Sequence, residues 1–235
     1  MTTPVDDPAI QPATEIYSIA LHHEMVRRPR TFFSIAHSYP MNFLAHAFLA
    51  GDHPELIVGG VIGDWIKGPL PGTLPDDLAR GVALHRAIDS FAERHPAFRA
   101  SRARVSPTRR RYAGVLVDIF YDHLLALNWA THHDQPLKEY SASVYDQIAG
   151  RMPQIPETAH RAMTFMAAED WFVSYAGLDG IATVLARMSR HARRPNPLAG
   201  GEKEFIDHAA GFAEDYAAWL DDAQRFASQS WSAAV

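Results

Sequence analysis

The chain of 235 residues contains no cysteine, which removes disulfide frameworks, cysteine nucleophiles, thiolate zinc sites and iron–sulfur ligation together. Any metal must therefore be held by His, Asp or Glu. Long apolar runs are also missing. None approaches the roughly 20 residues that span a bilayer, and the N-terminus lacks a basic stretch followed by an apolar one, so no membrane span and a cytoplasmic protein are expected. Positive charge is scarce: 22 Lys and Arg against 27 Asp and Glu leave a net charge of −5. That balance argues against general nucleic-acid binding, which draws its affinity from phosphates neutralised by a basic surface. Walker loops, Gly-x-Gly-x-x-Gly, Gly-x-Ser-x-Gly and His-Glu-x-x-His are absent, and with them the enzyme classes they mark.

Strand signals are lacking too. From Asn42 onward apolar residues recur at spacings of three and four, and no β-branched alternation extends over a strand's length. The expectation is an all-α fold, a compact multi-helix bundle with one core, for which an apolar content of 47% suffices. Residues 1–40, rich in Pro, Thr and isolated charges, read as a poorly ordered N-terminal extension with one helix-compatible stretch from Glu15 to Val26. Residues 41–235 read as a single helical domain, and Met41 is a plausible alternative start. Proline and glycine divide that domain into helices near 42–50, 54–67, 75–95, 106–131, 136–151, 156–175, 178–192 and 202–228. Pro54, Pro107 and Pro136 each suit a first helical turn, and Gly68 to Gly72 is a loop.

Several of these helices carry polar groups where packing alone would not put them. His46 lies among Phe43, Leu44, Phe48 and Leu49; a lone histidine there is ordinarily a hydrogen-bonded core residue. Asp64 follows Ile57, Val58, Val61 and Ile62, and an unpaired carboxylate in such surroundings costs several kcal/mol. A salt bridge, a cap on a neighbouring helix or a metal would each satisfy it. His85 and Asp89 are four apart, hence on one helical face, with a plain surface His–Asp pair as the alternative. Asp118 and Asp122 share a face of the most apolar helix, with His123 beside them. Both acids cannot stay ionised and unpaired there, so protonation, pairing or metal binding is required. Three helices thus direct carboxylates and imidazoles inward, a donor set suited to manganese, iron or magnesium. His132 and His133 read as caps of a helix C-terminus.

Arginines gather at Arg94, Arg99, Arg102, Arg104, Arg109, Arg110 and Arg111, and again at Arg187, Arg190, Arg193 and Arg194. Such clusters are commonly solvated faces; on an acidic protein they also suit steering of an acidic partner.

Met-Asn-Phe-Leu-Ala-His at 41–46, Gly-Asp at 63–64, His-Arg-x-Ile-Asp at 85–89 and Asp-x-x-x-Asp-His at 118–123 resemble the bacterial acyl carrier protein phosphodiesterase family, as do Glu-Asp-Trp-Phe at 169–172 and Arg-Arg-Pro at 193–195. The resemblance covers residues 41–228. It implies a helical fold related to the HD-domain phosphohydrolases, a divalent metal with Mn2+ preferred, and hydrolysis of the phosphodiester that joins 4′-phosphopantetheine to a serine of holo acyl carrier protein. It also implies that Asp64 is essential and that His46, His85, Asp89 and Asp122 are the other polar core positions. On residue type, Asp64 and Asp122 would hold the ion, with His46, His85, Asp89 and Asp118 as further candidate ligands. His85 or His123 would orient the attacking water or protonate the departing serine oxygen, and Arg86 would steady the phosphate. The arginine clusters would dock the acidic carrier protein. Phe48 and Gly51 stand where further histidines often occur in the family. A phosphohydrolase of nucleotides or other small esters, and a non-catalytic carrier-protein binder, are the competing readings.

Overall fold

A computed structural model describes residues 42–232; the expected N-terminal extension and its stretch from Glu15 to Val26 lie outside them. The described residues form helices and connecting turns, with no strand among them. The helices are α1 (Phe43–Leu49), α2 (Pro54–Ile62), α3 (Asp76–Arg94), α4 (Pro96–Arg104), α5 (Ala113–Leu127), α6 (Leu137–Arg151), α7 (Glu157–Ala168), α8 (Trp171–Ser174), α9 (Leu178–His191) and α10 (Glu202–Ser232). No helix among them is long and apolar enough to cross a membrane.

Two helices are central because they are apolar all round. In α2 every residue from Leu56 to Ile62 is buried. In α5 the run from Ile119 to Ala126 is buried without interruption. Helix α1 packs on both, and α3 packs along α2. The long α10 lies over α3, α4 and α5, and supplies Phe212 and Trp219 to a core that also holds Phe43, Phe120, Tyr121, Phe172 and Tyr175. It bends at His208, where the backbone leaves helical values.

Three element boundaries differ from the sequence expectation. The helix expected over 54–67 ends at Ile62 and tightens into a 3₁₀ turn, Gly63–Trp65. The helix expected over 106–131 begins only at Ala113, because Ser106 is held in a turn by Glu204. Ahead of it stands α4, which was not expected: its nine residues bury only Phe98 and Ser101, too sparse a pattern to read. It starts at His95, whose Nδ1 accepts from the Ala97 amide at 3.3 Å. The helix expected over 156–175 breaks at Asp170, whose φ of 42° interrupts the helical path.

Candidate metal and active site

The site is built by glycine. A Cβ on Gly59 would lie 2.6 Å from Gly81 Cα, and one on Gly81 would lie 2.8 Å from Gly59 Cα. Helices α2 and α3 therefore touch backbone to backbone, and His85, one turn beyond Gly81, comes beneath the end of α2. Its Nδ1–H donates to the Gly60 carbonyl at 2.8 Å. Its ring fills the space beside Gly63, where a Cβ would sit 2.3 Å from the ring carbon Cγ. The bond to Gly60 fixes the tautomer and leaves Nε2 as the nitrogen that faces the site.

That nitrogen faces two carboxylates, Asp89 Oδ2 at 3.2 Å and Asp64 Oδ1 at 3.8 Å. His46 approaches from α1 with its ring stacked on His85, centroids 3.9 Å apart. Its Nε2 lies 3.1 Å from the other oxygen of Asp89, while its Nδ1 is buried without a hydrogen-bond partner. Asp89 thus bridges the two rings. An imidazole lone pair aimed at carboxylate oxygens is acceptor against acceptor, and only a proton or a cation between them relieves it.

The titration of the group expresses this demand. Burial draws His85 down, but Asp64 and Asp89 outweigh it and raise the ring to about 10. Burial, and then the charge on His85, lower His46. Burial would raise Asp89, yet its bonds to His46 and His85 hold it well below the usual carboxylate range. A divalent cation answers the same demand, since one donor atom from each of His46, His85 and Asp89 lies within 4.8 Å of the others. Two imidazole nitrogens and a carboxylate oxygen suit such an ion, so the residues present fit a metal. The group opens into a pocket of about 250 Å³ lined by Gly63, Asp64, Ile66, Lys67, Gly68, His85, Arg86 and Asp89. The larger cavity, about 550 Å³, lies away from these groups, between Phe48, Asp52, His132, Tyr140 and Asp221.

Of the residues singled out in the sequence, His46, Asp64, His85 and Asp89 meet here. Asp118 lies on the near side of α5 without joining the 4.8 Å group. Burial, followed by the charges of Asp89, Asp122 and Asp64, pushes its carboxyl well above the ordinary value.

Asp122 is used otherwise. Its two oxygens accept from the Leu44 and Ala45 amides at 3.1 and 2.8 Å, so it caps the first turn of α1 from across the core and thereby holds His46 in place. Burial pushes this carboxyl up to about 7 against the pull of those two amides. His123, expected near the chemistry, faces the opposite way: its Nδ1–H donates to the Tyr175 carbonyl at 2.6 Å, and its ring meets Phe205 edge-on. Arg86 lines the pocket, but its guanidinium donates to the Ile66 and Gly68 carbonyls, each at 2.9 Å. His132 and His133 do not cap α5. Asn128 does, donating to the Leu124 carbonyl at 2.8 Å, while His133 stacks on Trp129.

The arginine clusters divide in the same manner. Arg104 pairs with Asp215, Arg109 with Glu204, Arg102 with Glu93 and Arg187 with Glu169. Arg109 also donates to the Pro197 carbonyl at 2.8 Å. That bond brings the segment carrying Arg110 and Arg111 next to the loop that follows Arg193 and Arg194, and all four are exposed.

Gly59, Gly60 and Lys67 were not singled out in the sequence, and Gly63 only as the neighbour of Asp64. A signal for the glycines was present: three of them in the five residues 59–63 weaken a helix unless something must approach closely.

Comparison with known proteins places these residues in context. The family model described as acyl carrier protein phosphodiesterase matches residues 41–223. A protein of that name from Photorhabdus laumondii is 32% identical over 177 residues, 73% of this chain and 87% of the relative. One from Pectobacterium atrosepticum is 33% identical over 171 residues, 72% and 88% of the two chains, and one from Escherichia coli O6:H1 is 31% identical over 156 residues, 66% and 80%. No solved structure matches.

Proposed function

This chain belongs to the acyl carrier protein phosphodiesterase family, and on that premise we propose that it hydrolyses the phosphodiester between 4′-phosphopantetheine and the serine of holo acyl carrier protein. The observation that carries this reading at the level of chemistry is the group formed by His46, His85 and Asp89, with His85 Nε2 turned toward Asp89 and Asp64. These residues would hold a divalent ion, a role their nitrogen and carboxylate donors suit, with manganese the ion that the family resemblance implies. Such an ion, when bound, supplies a water of lowered pKa and positive charge beside the phosphoryl oxygens.

The chain's own residues do the positioning. The Gly60 carbonyl keeps the proton of His85 on Nδ1, so that Nε2 stays available to the site. Asp122 anchors α1, which fixes the depth at which His46 enters. Asp64 adds a second carboxylate beside the same group, which favours a cation there. Asp64 is the residue on which turnover should depend most.

Docking of the carrier protein falls to the arginines not tied down within the molecule. Arg110, Arg111, Arg193 and Arg194, drawn together by the Arg109 link, form a basic patch on an acidic protein and suit an acidic partner. Affinity for the carrier protein should then fall steeply with ionic strength.

The test is mass spectrometry of holo acyl carrier protein incubated with this protein, with manganese or with chelator. Loss of the phosphopantetheine mass with manganese, and its retention with chelator, is the expected result. An unchanged mass with folded, manganese-loaded protein overturns the reading in favour of a small-ester phosphohydrolase.

A further inference from the structure

The pocket that holds the candidate metal group contains two cationic side chains, Arg86 and Lys67, and the structure uses them differently. Arg86 follows His85 on α3. Its Nη2 donates to the Ile66 carbonyl and its Nη1 to the Gly68 carbonyl, each at 2.9 Å. These are the two residues on either side of Lys67. The guanidinium is therefore a clamp on the backbone that carries Lys67, and because it comes from the residue next to His85, the clamp is fixed relative to the imidazoles. Gly68 makes the turn immediately afterwards with φ at +85°, a conformation open to glycine at no steric cost.

Lys67 lines the pocket mouth and is exposed. No hydrogen bond or ion pair engages its ammonium among the described residues. The ammonium is a point charge on a flexible stem, and the backbone beneath that stem is held at both flanking carbonyls.

The remaining charge in the pocket is negative. Asp64 and Asp89 line it. An anionic phosphodiester entering such a pocket meets repulsion that must be offset by positive charge. We propose that Lys67 is the side chain that grips the phosphate of the substrate, and that Arg86 is a positioning residue which presents it. The proposal rests on the phosphodiesterase reading for the identity of the ester, and it replaces the direct role in phosphate binding that residue type suggested for Arg86.

The experiment compares Lys67→Ala, Lys67→Arg and Lys67→Glu with the full-length wild type, all loaded with manganese. Three probes are used: holo acyl carrier protein, the protein-free diester bis(p-nitrophenyl) phosphate, and inorganic phosphate measured by calorimetry without turnover. Loss of a charge-assisted hydrogen bond predicts about a 10- to 100-fold fall in kcat/KM for Lys67→Ala on both esters, carried largely by KM. Lys67→Arg should recover most of it and Lys67→Glu should lose more. Phosphate binding should weaken about tenfold in Lys67→Ala. Melting curves control for folding, and an exposed lysine should leave them unchanged.

Arg86→Ala should reproduce the Lys67→Ala loss, and the double variant should be no worse than either single one. Unchanged phosphate affinity in Lys67→Ala overturns the proposal. So does a loss confined to the carrier protein with the small diester unaffected, which would make Lys67 a docking residue. If the wild type cleaves the small diester but spares the carrier protein, the phosphodiesterase reading fails while the assignment of Lys67 is still decided by phosphate binding.

Discussion

His85 and His123 are alike in nearly everything packing can specify. Each is 3% exposed, each lies on the buried face of its helix, and each donates its Nδ1–H to a backbone carbonyl, Gly60 for one and Tyr175 for the other. They differ at the second nitrogen. That of His85 meets Asp89 and Asp64, and the ring is raised to about 10 despite its burial. His123 has the edge contact with Phe205 and no carboxylate bound to it among the described residues, and burial lowers its pKa. A buried, tautomer-fixed histidine is thus a scaffold in one place and a candidate ligand in the other. What separates the two roles is whether the free nitrogen is given acids to share.

The contrast breaks most sharply on activity. His85→Ala should reduce turnover of holo acyl carrier protein by roughly a thousandfold even per folded molecule, because it removes a metal donor, and it should also lose stability, since it orphans the Gly60 carbonyl. His123→Ala should lose stability alone. It leaves a cavity and an orphaned carbonyl at the α5–α8 junction, which costs about 3 kcal/mol of stability, with turnover of the folded fraction near that of the wild type. Rates paired with denaturant melts check both. Equal loss of activity in the two variants would erase the distinction.

Metal-linked stability sharpens it next. A ligand at a hundredfold excess over its Kd stabilises the native state by about 2.7 kcal/mol, so manganese should raise the Tm of wild type and of His123→Ala alike. His85→Ala and Asp89→Asn should show no rise. A rise retained in Asp89→Asn would move the ion away from this group.

Asp118 and Asp122 repeat the contrast one turn apart on α5, with a smaller effect. Asp122→Ala deprives the Leu44 and Ala45 amides of their acceptor and should cost about 2 kcal/mol. Asp118→Asn removes a carboxylate whose ionisation the site already opposes, and should leave stability the same or slightly higher in the absence of metal. Parallel melts without metal decide this, and a greater loss at Asp118 than at Asp122 would contradict it.

These two acids also mark where the sequence stops being readable. The all-helical class, the bundle and the convergence of His46, Asp64, His85 and Asp89 follow from helical spacing and from polar groups set in apolar runs. The use of Asp122 does not, because an acid in an apolar helix looks the same whether a cation or two amides satisfy it. Its partners lie 78 and 77 residues away, and amides carry no residue signature. Arg86 escaped for the same reason, since its acceptors are backbone carbonyls. Helix α4 was hidden by its arginines: Arg104 is tied to Asp215 on α10, a pairing that no local periodicity announces.

The finest test of the contrast uses a buried acid whose partners are all supplied by the chain. Glu204 is 6% exposed and is held by the Ser106 amide at 2.9 Å and the Arg109 guanidinium at 3.1 Å. Burial would raise its pKa, but the bonds to Ser106 and Arg109 outweigh it and hold the carboxyl below its ordinary value. An acid with a depressed folded pKa contributes stability that is complete above its unfolded value of about 4.3 and is lost as pH falls through the folded one. Glu204→Gln should therefore cost about 1.5 kcal/mol at pH 7, and the gap to wild type should narrow only below about pH 4. Turnover at pH 7 should not change, because this acid already has its cation within the fold and, unlike Asp64 and Asp89, asks for none from outside. A gap that closes near neutral pH, or a variant that loses manganese affinity, would show that burial with full internal pairing does not suffice to mark a charge as structural.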